Sequence, residues 1–450
     1  MIVVTTCTQI QADDINQDEK KKDHQSKNVW QSGKLHPLIV NDSSLKIQIV
    51  AQGLEFPTTM AFNGPNDILV LEKEKGSVRR IVDGNLISKP LLKFDVKIPS
   101  ETCMCGIAVS KNDPARTYVY LYLTEIQPGN QGDNISDPPV SNNLYRYELE
   151  KDKLLYPKKL LSLPPTSGPH HTGGAIMLGP DNNVYLSVGD LDDVENNEYF
   201  RTLAQNYKDS MVIDGRAGIL RVTPEGNPVG NRILGNNYPL SLYYAYGVRN
   251  SFGMDFDPVT GNLWDTENGP AYGDEINLVE PGFNSGWAKV QGIWKPKGIE
   301  RSNSILDLAP GDIYTPRLEP LTNFGDKGIY SSPEFTWNET VGVTALKFLN
   351  SHKLGKEYEN DMFVGDIKHG RLYHFDLNKE RTELVLPSKL HDKIADTDKE
   401  IDESKILFGE GFGGITDIQV SPYDGYLYIL SYRDGTLYRV VPIKETRTDN

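Results

Sequence analysis

Residues 173–190 read GGAIMLGPDNNVYLSVGD, and residues 218–226 read GILRVTPEG. The first segment is an apolar strand, a Pro-Asp-Asn-Asn turn and a second apolar strand. The next supplies a third strand carrying an arginine. Period-2 alternation broken by hairpin turn residues is the signature of short antiparallel strands. The same unit recurs along the chain: TTMAFNGPNDILVLEKEKGSVRRIVDG (58–84), CGIAVSKNDPARTYVYLYLTE (105–125) with NNLYRYELE (142–150), FGMDFDPVTGNLWDTENG (252–269) with DEINLVEPG (274–282), VTALKFLNSHKLGKEYENDMFVGDIKHGRLYHFDLN (343–378), and ITDIQVSPYDGYLYILSYRDGTLYRVVP (415–442). Many copies close on a Gly-x-apolar-x-Arg strand.

A repeated four-stranded unit with two apolar faces must stack against its neighbours, and stacking around an axis gives a propeller. The expected fold is therefore all-β, a six-bladed β-propeller of four-stranded antiparallel blades. Six copies over about 400 residues allow roughly 67 residues each, more than four short strands need. The surplus falls in 126–141, 190–217 and 283–332, long connections of the kind that carry function on a rigid scaffold. The lone strand LKIQIV, 45–50, is placed to pair with the last copy and close the ring. The expected domain spans 45–442, with residues 1–40 a tail or signal remnant and 443–450 a C-terminal tail.

Composition agrees with this picture. The 450 residues include 23 Tyr, 14 Phe, 40 Gly and 28 Pro, suited to short strands and tight turns. The formal net charge of −15 repels phosphate backbones and argues against nucleic acid as a partner. No run approaches the roughly 18–20 apolar residues that span a bilayer. Three cysteines, Cys7, Cys103 and Cys105, do not make a disulfide framework. Cys103 and Cys105 read as small apolar residues of an inner strand, with oxidation or a soft metal as the other reading.

Four stretches carry chemistry. SGPHHTGG places His171 ahead of Gly173 and Gly174 at the start of an inner strand, and Asp190 closes the same hairpin. A histidine is the usual general base near neutral pH, and a carboxylate can orient it. YAYGVRNSFGMDF puts Arg249 and Asn250 at the matching position of the next repeat, so the two strand starts converge on one mouth. TENGPAYGDEINLVEPGFNSGW (266–287) concentrates carboxylates, carbonyl-exposing Gly and Pro, and Asn. Calcium takes six to eight such oxygens, with Gly269, Pro270 and Glu275 as candidate ligands. Lys368, in MFVGDIKHGRLYHF, stands where it can meet an anionic ligand. A plain loop reading competes with each when it is taken alone.

Together these motifs resemble the soluble quinoprotein sugar dehydrogenases, the pyrroloquinoline quinone (PQQ)-dependent glucose, sorbosone and aldose enzymes. The resemblance runs over roughly 45–442 and rests on HHTGG…GPD…YLSVGD, GVRNSFGMDFDP and NGP…GDEINLVEPGFNSGW in that order. It implies a six-bladed propeller that oxidises an aldose at C1 to the lactone. His171 would be the general base, Asp190 its support, and Arg249, Asn250 and Lys368 cofactor contacts. Gly269 and Pro270 would be carbonyl ligands of the calcium under the quinone, and Glu275 and Ser285 would mark a further calcium site. Ser285 stands where tyrosine is common, so a backbone carbonyl is the expected ligand there. Glu101 stands where the family has a cofactor-binding Gln. Ala175 replaces a common arginine, and Gly414-Ile415-Thr416-Asp417 replaces an Arg-x-Arg-Asp. The implied partners are a sugar and an external electron acceptor, and the implied location is extracellular or periplasmic. A calcium- and sugar-binding module without redox activity and a calcium-dependent lactonase are the competing readings.

Overall fold

The computed structural model describes residues 37–73, 75–94, 104–126, 140–164, 171–191, 201–297 and 309–443. Within them the chain forms an all-β propeller. There are six sheets of four to six strands and a separate two-stranded ribbon, Trp294–Lys297 with Ala309–Ile313. The first strand of each sheet touches the first strand of the next. Pro57–Gly64 contacts Met104–Asp113, which contacts Ile176–Leu178. From there the path runs through Ser251–Phe256, Val343–Phe348 and Ile415–Val420 back to Pro57–Gly64. These strands line a closed ring.

Why the sheets stack is visible in their second strands. Val184–Val188, Leu263–Glu267, Met362–Asp366 and Leu427–Ser431 are buried at every position. A sheet with one wet face would alternate. Full burial means that both faces pack against other sheets. Each fully buried Leu, Ile or Phe contributes about 1.5–3 kcal/mol.

The ring is latched by the N-terminal strand Leu45–Gln52, antiparallel to Thr436–Pro442, the pairing anticipated for 45–50. A second latch joins the first and last sheets directly. Asp417 Oδ2 accepts from the Met60 amide at 2.7 Å and the Thr59 hydroxyl at 3.1 Å.

Three expectations need correcting. Blades of four strands throughout are not what forms, because short strands add to the outer edges. Phe283–Asn284 and Ile329–Tyr330 extend the third sheet in parallel, and Ile394–Ala395 extends the fourth. The tail expected over 1–40 also ends early, since Ile39–Val40 pairs with Gly409 and Glu410. Cys105 is disulfide-bonded rather than a free thiol; the other two cysteines lie outside the described residues.

Antiparallel order decides where the chemistry gathers. The start of a first strand and the turn between second and third strands lie at the same end of a sheet. His171, Arg249 and Asn250 precede first strands. Asp190, Gly269, Pro270 and Lys368 follow second strands. All seven positions therefore lie at one end of the sheets.

Candidate active site

His171 is held by a chain of directional bonds. Its Nδ1 lies 2.8 Å from Asp190 Oδ1, and the Trp287 indole N–H donates to Asp190 Oδ2 at 2.6 Å. On the other side, the Arg249 guanidinium lies 2.8 Å from His171 Nε2. An arginine only donates and an ionised carboxylate only accepts. The proton therefore sits on Nδ1, and Nε2 carries the lone pair. Arg249 also donates to the Asn268 carbonyl at 2.8 Å and lies 5.3 Å from the Trp287 ring. His171, Asp190, Arg249 and Asn250 are 6%, 1%, 3% and 3% exposed, so their electrostatics act with little solvent screening.

The local backbone is built for this placement. His171 has φ of 56°, in the left-handed region, where a non-glycine residue is uncommon. Gly189 allows it: a Cβ there would lie 2.0 Å from the His171 carbonyl oxygen. Gly173 and Gly174 serve close packing of the strands. A Cβ at Gly173 would meet the Ser187 carbonyl at 2.6 Å, and one at Gly174 would meet Cys105 Cβ at 2.4 Å. These glycines let neighbouring strands close up. Asn250 Oδ1 accepts from the Gly173 amide at 3.1 Å, so its side chain joins the two converging strand starts.

The turn carrying Gly269 and Pro270 is pinned by Asp274. Asp274 Oδ1 accepts from the Gly269 amide at 2.9 Å, and Oδ2 from the amides of Val341 and Gly342 at 2.7 Å each. Burial pushes this carboxyl up to about 6, while the three backbone amides pull it down. Among the described residues no hydrogen bond reaches the carbonyl oxygens of Gly269 or Pro270. Lys368 is exposed and donates to the Thr340 carbonyl at 3.0 Å. It borders the Asp274-held turn and stands apart from the His171 bonds. Arg433, which sequence reasoning missed, donates to the carbonyls of Ile367 and Lys368 at 3.3 Å. It brings a last-sheet cation to this end of the ring. Thr416 instead bonds the Pro57 carbonyl at 3.0 Å. Glu101 lies outside the described residues.

Glu275 and Ser285 belong to a buried acidic layer. Glu267 and Glu275 face each other across the ladder, as do Asp265 and Asn277. The Ser285 hydroxyl lies 2.7 Å from Glu267 Oε2 and 3.2 Å from Glu275 Oε2. The Ser285 side chain points into this cluster. Glu275 also accepts from Gln291 Nε2 at 2.9 Å, from Asn277 Nδ2 at 3.2 Å and from the Gly292 amide. Burial, reinforced by mutual repulsion, raises the Glu267 and Glu275 carboxyls above their ordinary values. Burial pushes Asp265 up to about 7. Ser251 and Asn277 beside it pull the Asp265 carboxyl back down in part. The donor set is all oxygen and rich in carboxylate, which suits a hard cation.

This layer sets a pH dependence. A carboxyl whose folded pKa is raised favours the folded state at low pH, and that advantage is lost as pH rises through the folded value. Without calcium, stability should fall between about pH 4 and pH 7, with Asp265 accounting for about 4 kcal/mol at about 1.4 kcal/mol per unit. Asp265→Asn should flatten this fall. Urea midpoints at pH 5 and pH 8 in chelator measure it, and an unchanged slope in the variant would remove Asp265 from the account.

A cavity of about 710 Å³ lined by Lys111, Asp113, Arg116, Glu148 and Tyr156 contains none of these residues.

The closed ring is a β-propeller with histidine, arginine and carbonyl groups gathered at one end. The Glucose / Sorbosone dehydrogenase family model matches residues 54–439, and the chain belongs to that family. It is 25% identical over 423 residues to the aldose sugar dehydrogenase YliI of Escherichia coli (strain K12), covering 92% of this chain and 99% of that one. It is 24% identical over 379 residues to quinoprotein glucose dehydrogenase B of Acinetobacter calcoaceticus, covering 74% and 77%. Among solved structures, the PQQ-bound aldose sugar dehydrogenase of Streptomyces coelicolor superposes with a TM-score of 0.59 at 20% identity, covering 89% of this chain and 99% of that one. That likeness bears on the fold. Among the described residues, no helix is long and apolar enough to cross a membrane.

Proposed function

We propose that the protein oxidises an aldose at C1 to the lactone, with calcium-bound PQQ as cofactor and an external acceptor taking the electrons. The observation that carries the reading is the directional chain Trp287–Asp190–His171–Arg249, which leaves the imidazole lone pair on Nε2. When bound, PQQ supplies the hydride acceptor. His171 Nε2 takes the proton of the C1 hydroxyl, and Asp190 stabilises the imidazolium that results. Arg249 first yields Nε2 to the substrate hydroxyl. It keeps the Asn268 carbonyl and the Trp287 face as anchors while it turns toward an anionic group.

The residues fit the cofactor. Among the described residues, buried Arg249 Nε has no hydrogen-bond partner, which leaves a donor for a carboxylate or quinone oxygen. The Gly269 and Pro270 carbonyls are the calcium ligands, supported by the lack of hydrogen bonds to them among the described residues. Asn250 positions the His171 turn against the cofactor, and Lys368 and Arg433 supply positive charge beside it. Glu275 and Ser285, with Glu267 and Asp265 beside them, hold the further calcium. Each of the six larger sheets is read as one blade. The protein is read as acting outside the cytoplasm. The lactonase reading lacks a comparable observation, since Asp265, Glu267 and Glu275 sit within one sheet.

Calcium and PQQ added to purified protein, followed by a panel of aldoses, test the proposal. Reduction of the cofactor by a sugar supports it. No spectral change at saturating PQQ rejects it.

A further inference from the structure

The fifth sheet carries a second cluster at the end opposite His171. We propose that Asp361, His374 and Asp376 bind a divalent first-row transition ion, with zinc the best match. One ligand atom from each of the three lies within 4.8 Å of the others. His374 Nε2 is 2.9 Å from Asp361 Oδ2 and 3.5 Å from Asp376 Oδ1. Around a tetrahedral ion with bonds of about 2.0–2.1 Å, neighbouring ligand atoms lie about 3.3 Å apart. The observed separations bracket that value.

The strand register explains how the cluster forms and why it wants a cation. Phe363 faces His374 and Met362 faces Phe375, so Asp361 and Asp376 come next to each other at the end of the ladder. His374 and Asp376, two residues apart on one strand, share a face. Like charges opposed across a ladder are destabilising. Both carboxylates turn to the same imidazole nitrogen, which has a single proton to offer. The surroundings add more negative charge: Asp42 accepts from the Tyr358 hydroxyl at 2.8 Å, and Glu357 adjoins that tyrosine in the chain. Arg381 is committed elsewhere, to both oxygens of Asp257 and to the Asn360 carbonyl.

His374 is also fixed as a ligand should be. Its ring packs at 5.1 Å from Tyr358, 5.1 Å from Phe363 and 6.2 Å from Phe408. Asp361 and His374 are largely buried and Asp376 is open to solvent, which leaves a fourth position for water. One imidazole and two carboxylates suit zinc better than calcium, which takes six to eight oxygens.

The test is calorimetric titration of the tag-free full chain with zinc chloride, in calcium sufficient to fill hard-cation sites. Wild type is expected to show one zinc site that His374→Gln removes. Asp376→Asn, at an exposed position, is expected to weaken it by at least about ten-fold. Cobalt(II) should give the visible absorption of a four-coordinate ion, lost in the same variants. Equal zinc binding by wild type and both variants would assign the metal to other histidines and overturn the proposal, as would no binding by wild type.

Discussion

His171→Ala is expected to lower turnover of the calcium- and PQQ-loaded protein by about two to four orders of magnitude, the usual scale for loss of a general base. The loss should fall on turnover, with little change in affinity for the cofactor. The substitution removes one bond from each neighbour and leaves the rest. Asp190 keeps the Trp287 indole, and Arg249 keeps the Asn268 carbonyl. The mouth therefore holds its shape while losing the His171 lone pair. His171→Gln serves as a control that fills the space without supplying a base. Stopped-flow reduction of the bound cofactor by an aldose reads the step directly. A variant that retains wild-type turnover would remove His171 from the role.

Asp274→Ala is expected to be the most damaging change to the site's frame. The carboxylate is fully buried and gathers three backbone amides from two separate segments. Without it those amides lose their acceptor inside the protein, at about 1–3 kcal/mol for each buried unsatisfied group. A total loss of about 3–5 kcal/mol is expected in urea unfolding. Because Gly269 is one of the three donors, calcium affinity should fall in parallel, measured by titration of the folded fraction below the unfolding range. Asp274→Asn keeps the size and an acceptor oxygen, and should recover part of the stability. An alanine variant as stable as wild type would mean that the turn is held by other contacts.

Much of the fold could be read from alternation and turn chemistry, because each hairpin of a propeller carries its own local signal. The convergence of His171 with Arg249 could be read too, since equivalent positions of neighbouring repeats must meet at one end. Two-residue strands could not, as Phe283–Asn284 and Ile394–Ala395 are too short to show a period. Trp287 could not be assigned to Asp190 either. It lies 97 residues away in the chain and reaches the carboxylate only after the third and fourth sheets have packed. Arg433 was hidden for a related reason. It sits on a turn after the last sheet's second strand, away from the position where the resemblance looks for a cation. The Gly173–Gly174 pair was legible as a site of close approach, but whether a ligand or a strand approaches depends on tertiary packing. The segment 266–287 was legible as a concentration of carboxylates. Its opposition of Glu267 to Glu275 follows from register, which residue spacing within one strand does not reveal.

The central claim is that this propeller hands hydride from a sugar to a quinone, with His171 accepting the proton. The most direct measurement is the absorbance of PQQ bound to calcium-loaded protein on mixing with a panel of aldoses, in wild type and His171→Ala side by side. The account predicts rapid reduction in wild type with at least one aldose, and reduction slowed by about two or more orders of magnitude in the variant. Bound PQQ that no aldose reduces, or equal rates in the two proteins, would contradict it.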